Sequence, residues 1–196
     1  MGRCPKVPAR FYAEGGQRVS GRILLLTGER GIGKTTVCRE VVVRAREAGY
    51  TCGGLLTLQA DEQGGRTVMD VSTGDVRPLT VPKGGVEVGR YWFDPAVLAW
   101  GAEAIARAVP CDLLVVDEVG PLEVERGQGW AIALDILRAA QFRLALVVVR
   151  PELIGAVQLR LPASAPAVLR VTEHNRDRLP DLLFSLLERE RPVSPS

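Results

Sequence analysis

The sequence has few of the residues that bind transition metals or form disulfides. Its 196 residues include four cysteines and one histidine. No two cysteines stand at CxxC spacing, so the sequence predicts neither a zinc site nor a thiol redox motif. Cys4 lies near the start, whereas Cys38, Cys52 and Cys111 lie in or beside apolar segments and are expected to be small buried residues. His174 has no cluster of candidate ligands around it and is expected to be a loop residue.

Neither an excess of one charge nor a long apolar run is present. The chain has 25 basic and 23 acidic residues and a net charge of +2, which gives no strong basic footprint for nucleic acid. We find no run of eighteen apolar residues and no signal-peptide pattern at the start, so we expect a cytoplasmic protein. A hydrophobic content of 46% and a charged content of 24% are typical of a globular chain. The length favours one domain with a substantial core.

One stretch carries a specific pattern. Residues 22–40 read RILLLTGERGIGKTTVCRE, an apolar run followed by a glycine-rich segment and a helical pattern. Gly28, four further residues, and then Gly33, Lys34 and Thr35 have the spacing of the phosphate-binding loop of nucleoside triphosphatases. Glycines let backbone N–H groups converge on phosphate oxygens, and the following helix directs its positive end at the same anion. We expect Lys34 to reach the β- and γ-phosphates and Thr35 to bind Mg²⁺.

A continuous apolar run that ends in two carboxylates forms a second functional pattern. Residues 111–118 read CDLLVVDE, which is typical of a parallel strand buried on both faces. Open α/β sheets bind ligands at the carboxyl ends of their strands, so these acids are expected to face the phosphate loop. Asp117 is then placed to hold Mg²⁺, directly or through water. Glu118 is free to orient or deprotonate a water that attacks the γ-phosphorus.

The rest of the sequence alternates strand and helix patterns. Gly49 ends a first predicted helix over residues 34–48, and Asp94 followed by Pro95 predicts the start of a second that extends to about residue 109. Strands are predicted over 51–59, 66–72, 89–93, 142–149 and 167–171, the first two forming a β-hairpin around a turn at 61–65. Further helices are predicted over 128–140, 152–160 and 179–190, a loop with short extended pieces over 81–89, and a polar loop over 172–177.

Some polar and aromatic side chains leave alternatives open. Arg150 follows the predicted strand 142–149, where it either reaches the γ-phosphate and stabilises transition-state charge or is an ordinary charge facing solvent. Trp130 lies on the apolar stripe of a predicted helix and is more typical of a core or partner surface than of a base-stacking platform. Glu123 and Glu125 are assigned to a charged connector, and their spacing indicates no catalytic role.

Three motifs, in this order, resemble those of a known family. TGERGIGKTT, VVDEVGPLE and VTEHNRDRL are similar to motifs of the small standalone nucleoside-triphosphatases first described from thermophiles, which have a human cancer-related member. The resemblance covers about residues 22–187. It implies a three-layer, RecA-like P-loop α/β fold with a mostly parallel sheet, helices on both faces and a β-hairpin extension. We therefore divide the chain into an irregular N-terminal arm (1–21), a P-loop domain (22–190) and a disordered tail (191–196).

The resemblance also implies an activity and a site. The activity is slow, Mg²⁺-dependent hydrolysis of ATP, GTP and other nucleoside triphosphates to the diphosphate and phosphate. Carried over by motif, residues 28–36 bind the phosphates and residues 113–120 close on the nucleotide from the other side. From their chemistry, Lys34 and Glu118 are the expected catalytic residues, and Thr35 and Asp117 the expected metal ligands. The residues expected to contact the nucleotide are Gly28, Glu29, Arg30, Gly31, Ile32, Gly33, Lys34, Thr35, Thr36, Asp117, Glu118, Val119 and Gly120.

This chain departs from the family pattern after the first helix. The family usually has Thr-x-Glu-x-Arg there, whereas this chain has Thr57, Gln59 and Asp61 at those positions. The roles of the family's glutamate and arginine therefore do not transfer to these residues. Asn175 and Arg176 match the late polar motif, for which we expect either a nucleotide contact or bracing of the loop.

Two other functions stay open. A nucleotide or small-molecule kinase shares the phosphate loop but needs an acceptor pocket and commonly an arginine-bearing lid. The sequence indicates no clear lid, although the segment 66–90 has room for one. A nucleotide-switched module associated with nucleic acid uses slow hydrolysis only to reset its conformation, and the weak net charge argues mildly against it. No pattern indicates a base preference or an oligomeric state.

Overall fold

The computed structural model describes residues 21–60, 65–139, 141–161 and 166–190. Apart from Gly21, the predicted arm lies outside the described residues, as do Cys4 within it and the predicted tail. Residues 61–64 of the predicted hairpin turn, which include Asp61, lie outside them as well.

Strands and helices alternate along the chain, as the apolar patterns predict. The strands of the described residues are β1 (Arg22–Thr27), β2 (Cys52–Gln59), β3 (Arg66–Asp70), β4 (Val76–Pro78), β5 (Thr80–Val81), β6 (Val86–Val88), β7 (Tyr91–Phe93), β8 (Leu113–Val119), β9 (Leu144–Val149) and β10 (Ala167–Arg170). The α-helices are α1 (Lys34–Glu47), α2 (Pro95–Arg107), α3 (Pro121–Val124), α4 (Ile132–Ala139), α5 (Ile154–Arg160) and α6 (Leu179–Arg189). A 3-10 turn at Pro151–Leu153 precedes α5. Among the described residues, no helix is both long enough and apolar enough to cross a membrane.

The main sheet has seven strands in the order β10-β1-β9-β8-β2-β3-β4. The five strands from β10 to β2 are parallel. Beyond them, β3 forms an antiparallel hairpin with β2, and β4 pairs antiparallel with β3 at the edge of the sheet. Strand β9 lies between β1, which leads into the glycine-rich loop, and β8, which ends in the two acids. The predicted α/β fold with a hairpin extension is confirmed.

Each face of this sheet is covered by its own hydrophobic cluster. Because side chains alternate along a strand, Leu24 and Leu26 of β1 face one cluster and Leu25 faces the other. The first cluster, which we call the α1 face, includes the apolar stripes of α1 and α6. The second, the α2 face, includes the apolar residues of α2 and α4. The sheet therefore lies between two helical layers, as the resemblance implied.

The ends of α1 and α2 follow from local capping chemistry. Gly49 adopts a φ of +80° just after α1, which is the conformation that ends a helix and favours glycine. At the start of α2 the Asp94 carboxylate accepts a hydrogen bond of 2.8 Å from the Ala96 N–H, and Pro95 occupies the first turn. Both predicted helices are confirmed, although α2 ends at Arg107, two residues earlier than expected.

Two parts of the prediction are wrong in detail. The predicted helix 128–140 starts only at Ile132, because Trp130 belongs to the turn that precedes it. The predicted connector after β8 contains the short helix α3, in which Glu123 is buried. The short extended pieces predicted within the loop 81–89 are present, as strands of a separate sheet with the order β5-β7-β6. These elements are short, and distant contacts rather than local periodicity stabilise them.

The expectation for the cysteines holds within the described residues. Cys38 and Cys111 are buried, and Cys52 is partly buried. Burial raises the pKa of the Cys38 thiol well above its ordinary value. The pKa of Cys52 rises to about 11, mainly through burial, although Arg46 lowers it and Asp112 raises it further. The thiols of Cys38 and Cys52 are therefore protonated near neutral pH and behave as small apolar groups.

Candidate active site

The connection between β1 and α1 is a glycine-rich loop with an unusual backbone. The φ angles are +140° at Gly28, +79° at Gly31 and +105° at Gly33, values that residues with a Cβ rarely adopt. A Cβ at Gly28 would also lie only 2.5 Å from the Val171 carbonyl oxygen. The loop leads directly into α1, so its backbone and the positive end of the helix face the same space. This geometry is suited to holding an anion.

Lys34, the first residue of α1, folds its side chain back over this loop. Its Nζ donates hydrogen bonds to the carbonyl oxygens of Gly28, at 2.8 Å, and Glu29, at 2.6 Å. Partial burial lowers the pKa of Lys34, and the charges of Glu118 and Asp117 oppose that change. The ammonium group therefore lies on the phosphate loop and is electrostatically coupled to the acidic end of β8.

Asp117 is buried at that end of β8, with 2% of its surface exposed. Its Oδ2 accepts a hydrogen bond of 3.2 Å from the Thr57 N–H, and the Thr57 hydroxyl donates to the Asp117 carbonyl oxygen. Thr35, the second residue of α1, lies near enough to the carboxylate to lower its pKa. Burial outweighs the effects of Thr35 and Thr57 and raises the pKa of Asp117 to about 6. The structure thus brings the two predicted metal ligands close together.

Glu118 is displaced from the regular strand by a bulge. Asp117 pairs with Val148 and Val119 pairs with Val149, so Glu118 has no partner across the sheet. Bulges often re-aim a side chain beside an active site. Here the Glu118 carboxylate lies 2.7 Å from Nε of Arg150 and 4.0 Å from Nη1 of Arg66. The predicted base is therefore paired with two arginines.

These elements surround one open cleft with a volume of about 1080 Å³, at the upper end of the range for ligand sites. Five arginines and one lysine line it, against four acids, which favours a multiply charged anion. The lining residues are Gly28, Glu29, Arg30, Gly31, Gly33, Lys34, Thr35, Thr36, Arg39, Thr57, Leu58, Gln59, Arg66, Arg90, Tyr91, Asp117, Glu118, Val148, Arg150, Pro151 and Glu152.

Tyr91 connects the small sheet to this cleft. Its phenol oxygen accepts hydrogen bonds from Nη2 of Arg30 at 2.8 Å and Nη2 of Arg90 at 2.7 Å. The guanidinium of Arg66 lies over its ring, 5.4 Å from the centroid. Burial pushes the pKa of Tyr91 upward, but the hydrogen bonds and charges of these arginines outweigh it and lower the pKa to about 8. The phosphate loop is thus joined to β7 through Arg30.

Three residues of the expected nucleotide-binding set do not line the cleft. Ile32 packs against the α1-face cluster, although its loop neighbours on both sides line the cleft. Val119 is fully buried in the α2-face cluster. The Gly120 N–H donates to Oε2 of Glu123 at 2.9 Å, and Gly120 lines a second, smaller cavity. The bulge explains the last two, because it turns the chain after Glu118 away from the phosphate loop.

Glu123 and Trp130 have structural roles near that smaller cavity. The Glu123 carboxylate accepts the N–H groups of Gly120 and Trp130, at 2.9 Å and 3.2 Å. Burial raises the pKa of Glu123, and these hydrogen bonds oppose the change. Trp130 is 4% exposed and packs in the α2-face cluster, so the expectation of a core residue is confirmed. Glu125 is exposed on the connector.

The late polar motif braces a loop rather than lining the cleft. Oδ1 of Asn175 accepts the Thr172 N–H at 2.8 Å, and its Nδ2 donates to the Arg170 carbonyl oxygen at 2.9 Å. These contacts tie the end of β10 to the start of α6. Arg176 lies beside Gly33 of the phosphate loop and 3.7 Å from the Asp177 carboxylate. His174 is an exposed loop residue, as expected.

Several cleft residues were not singled out as site residues from the sequence. Arg66 reaches the cleft because the hairpin pairs it with Gln59 at the end of β2. Arg90 and Tyr91 reach it from the small sheet. The β-hairpin pattern gave a usable signal for Arg66, since hairpin register predicts which residue faces the end of β2. No local signal identifies the two residues on the small sheet.

A parallel sheet with a lysine-bearing glycine loop facing an acidic strand end defines a phosphate-loop nucleotide-binding protein. Comparison with known proteins narrows this class. A family model described as NTPase matches residues 23–184. The chain belongs to this NTPase family and is a nucleoside-triphosphate phosphohydrolase. The resemblance inferred from the three motifs is thereby confirmed.

Individual relatives agree with this assignment. Nucleoside-triphosphatase THEP1 from Methanopyrus kandleri is 40% identical over 170 residues, which cover 82% of this chain and 92% of the relative. Nucleoside-triphosphatase THEP1 from Methanosarcina barkeri is 32% identical over 163 residues, with coverages of 80% and 92%.

A solved structure shows that the fold is shared. The human cancer-related nucleoside triphosphatase matches with a TM-score of 0.68 and 22% identity, over 88% of this chain and all of that one. At this level of identity the match supports the fold alone.

Proposed function

We propose that this cleft catalyses the Mg²⁺-dependent hydrolysis of ATP, GTP and other nucleoside triphosphates to the diphosphate and inorganic phosphate. The observation that carries the proposal is the meeting of Lys34 and Thr35, at the start of α1, with Asp117 and Glu118 in one cleft. Each of these side chains has a distinct part in phosphoryl transfer, and few other reactions need all four together.

The residues present suit a magnesium ion. Thr35 offers a hydroxyl oxygen and Asp117 a carboxylate oxygen, and both residues line the same cleft. Oxygen donors of this kind are those that Mg²⁺ prefers, usually alongside phosphate oxygens and water. Thr35 and Asp117 would therefore hold the ion. When bound, Mg²⁺ would neutralise charge on the β- and γ-phosphates.

Side chains of this cleft account for the proton and the charge that move during hydrolysis. A water oxygen forms a bond to the γ-phosphorus while the bond from that phosphorus to the β–γ bridging oxygen breaks. The proton of the water passes to the Glu118 carboxylate, and the electron pair of the broken bond goes to the leaving diphosphate. Lys34 and the loop N–H groups neutralise the charge that develops there.

The cleft supports a broad choice of bases. Its charged lining, with Arg30, Arg39 and Arg90 beside the phosphate loop, addresses phosphate oxygens, which all nucleoside triphosphates share. Among the described residues that line the cleft, only Tyr91 offers an aromatic ring, and two arginines engage its hydroxyl. Recognition through phosphates gives similar affinity for different bases, so we expect several nucleotides to be hydrolysed.

A small second cavity lies beside Glu118. This cavity of about 60 Å³ shares Thr57, Arg66, Tyr91, Glu118 and Arg150 with the main cleft. Since a water molecule occupies about 30 Å³ in the liquid, this cavity has room for about two of them. Glu118 also lines the main cleft of about 1080 Å³, which has room for a larger acceptor. An assay with added acceptors therefore separates hydrolysis from the kinase alternative.

The test is a panel of nucleoside triphosphates with Mg²⁺ or with chelator, assayed for inorganic phosphate with and without nucleoside, nucleotide or RNA. We expect phosphate from several triphosphates, only with Mg²⁺, and no phosphorylated acceptor. Glu118→Gln should lower the rate by roughly 100-fold or more while nucleotide still binds, whereas the exposed neighbour variant Glu125→Gln should keep the wild-type rate. A phosphorylated acceptor without free phosphate would instead establish a kinase, and a rate that depends on RNA would favour the nucleotide-switched module.

A further inference from the structure

The candidate base Glu118 is not free in this structure. Its Oε1 accepts a charge-assisted hydrogen bond of 2.7 Å from Nε of Arg150, and Nη1 of Arg66 lies 4.0 Å from Oε2. A carboxylate oxygen that accepts such a bond directs a lone pair at the guanidinium instead of at a water molecule. The resting contact with Arg150 therefore opposes the role proposed for Glu118.

Arg150 is placed between the two halves of the site. It follows directly after β9, the strand between the phosphate-loop strand β1 and the acidic strand β8. Its side chain lines the same cleft as Lys34 and is 44% exposed. A long side chain with this exposure can change its rotamer without disturbing the core. Arg150 is thus within the same cleft as the phosphates and in contact with the base.

A bound triphosphate competes with Glu118 for this guanidinium. The carboxylate carries one negative charge, whereas the terminal phosphate presents several anionic oxygens whose geometry suits a bidentate contact with arginine. Arg66 approaches Glu118 less closely and is already engaged with Tyr91, so Arg150 is the partner that the substrate would take.

We propose that Arg150 is a substrate-operated latch: in the free enzyme it holds Glu118, and on binding of a triphosphate it moves to the γ-phosphate and releases Glu118 for the attacking water. This inference rests on the hydrolysis proposed above. It gives Arg150 two successive contacts, with the base before the reaction and with the transferred phosphoryl group during it. It also makes the base available only when a third phosphate is present.

The first test compares Arg150→Ala, Arg150→Lys and a matched surface variant, Arg138→Ala. Arg138 lies on α4 and contacts Asp135 and the Arg160 carbonyl oxygen, away from the cleft. Arg150→Ala should lower kcat for ATP by roughly 100-fold or more, since it removes a charge from the transferring phosphoryl group. Arg150→Lys should recover part of that loss, and Arg138→Ala should match the wild type.

The second test measures binding by calorimetry in chelator, without turnover. Arg150→Ala should weaken ATP binding and leave ADP binding unchanged, because only ATP carries the phosphate that Arg150 reaches. Glu118→Gln should strengthen ATP binding by about threefold to fivefold, because Arg150 no longer has to leave a charged partner that is partly exposed. In the double variant Glu118→Gln/Arg150→Ala this gain should disappear, which a double-mutant cycle detects.

These results separate the latch from the proposed function. If the wild type releases no phosphate from any triphosphate, the proposed hydrolysis fails. If the wild type hydrolyses ATP but Arg150→Ala keeps its kcat, the latch is refuted. A gain from Glu118→Gln that is equal with and without Arg150 also refutes it, since a merely structural Arg150 would not couple Glu118 to the γ-phosphate.

Discussion

Replacing Asp117 by Asn is expected to stabilise the nucleotide-free protein. The pKa of this buried carboxyl rises from its ordinary value of 3.8 to about 6, so the folded protein binds the proton more tightly than the unfolded chain. Stability is then lost as the pH rises through the interval between these values. Two pH units correspond to about 3 kcal/mol of unfolding free energy above pH 6. Asn removes this cost and keeps an oxygen that accepts from the Thr57 N–H.

The measurement is thermal unfolding followed by circular dichroism, in chelator, at pH 7 and at pH 4. At pH 7 the variant should be more stable by about 1–3 kcal/mol, an increase in Tm of roughly 3–10 °C for a chain of this size. At pH 4 the gain should shrink, because the wild-type carboxyl is then protonated in the folded state. Phosphate release with Mg²⁺ should be lost at every pH, since the charged ligand is gone.

Asp112→Asn is the matched control and should have the opposite sign. Asp112 is also buried, but its carboxylate lies 2.9 Å from Nε of the buried Arg143 and accepts two hydrogen bonds from Thr51. Losing this charge leaves the Arg143 guanidinium unpaired, which should cost about 3–5 kcal/mol. The reasoning is refuted if Asp117→Asn fails to raise the Tm at pH 7, or raises it equally at pH 4.

Three further outcomes are expected. Lys34→Ala should lose both phosphate release and nucleotide binding by calorimetry, whereas Lys83→Ala, which changes the other lysine of the described residues, should leave both unchanged. Gly28→Ala should lower stability to urea by more than about 2 kcal/mol, because its Cβ would meet a carbonyl oxygen at 2.5 Å; Gly31→Ala should cost about 1 kcal/mol, since only its positive φ is strained. An ultraviolet titration should show a phenol with a pKa of about 8 that Tyr91→Phe removes, and the lowered pKa means that Tyr91 adds stability as the pH rises from about 8 toward 10. A loss of binding in Lys83→Ala, equal costs at the two glycines, or a titration that survives in Tyr91→Phe would contradict the corresponding argument.

The parts of the fold that sequence predicts are those specified by neighbouring residues. Asp94 and Pro95 carry the information for the start of α2 in their own chemistry. The continuous apolar runs of β8 and β9 need burial on both faces, so they predict central strands without knowledge of their neighbours. The spacing of the glycines before Lys34 likewise predicts the conformation of the loop. For each of these, the forces that decide the structure act within a few residues.

The parts that sequence does not predict depend on distant contacts. Glu123 is buried because N–H groups on both sides of a one-turn helix converge on it, and no helical periodicity indicates so short an element. Arg90 and Tyr91 enter the cleft only because the small sheet packs beside it. The two alternatives for Arg150 could not be separated because strand order, which decides its neighbour, is not encoded locally. Likewise, Arg66 reaches the cleft only because the register between β2 and β3 pairs it with Gln59.

The position of β9 between β1 and β8 sets the distance between the two halves of the site. Adjacent strands are about 4.8 Å apart, so one intervening strand separates the ends of β1 and β8 by roughly 10 Å. Lys34, which the glycine-rich loop places at the start of α1, donates to carbonyl oxygens of that loop. The gap between the two strand ends therefore leaves room for a phosphoryl group with its counterion. Strand β9 thus holds the phosphate loop and the acidic strand end apart, so that a substrate can bind between them.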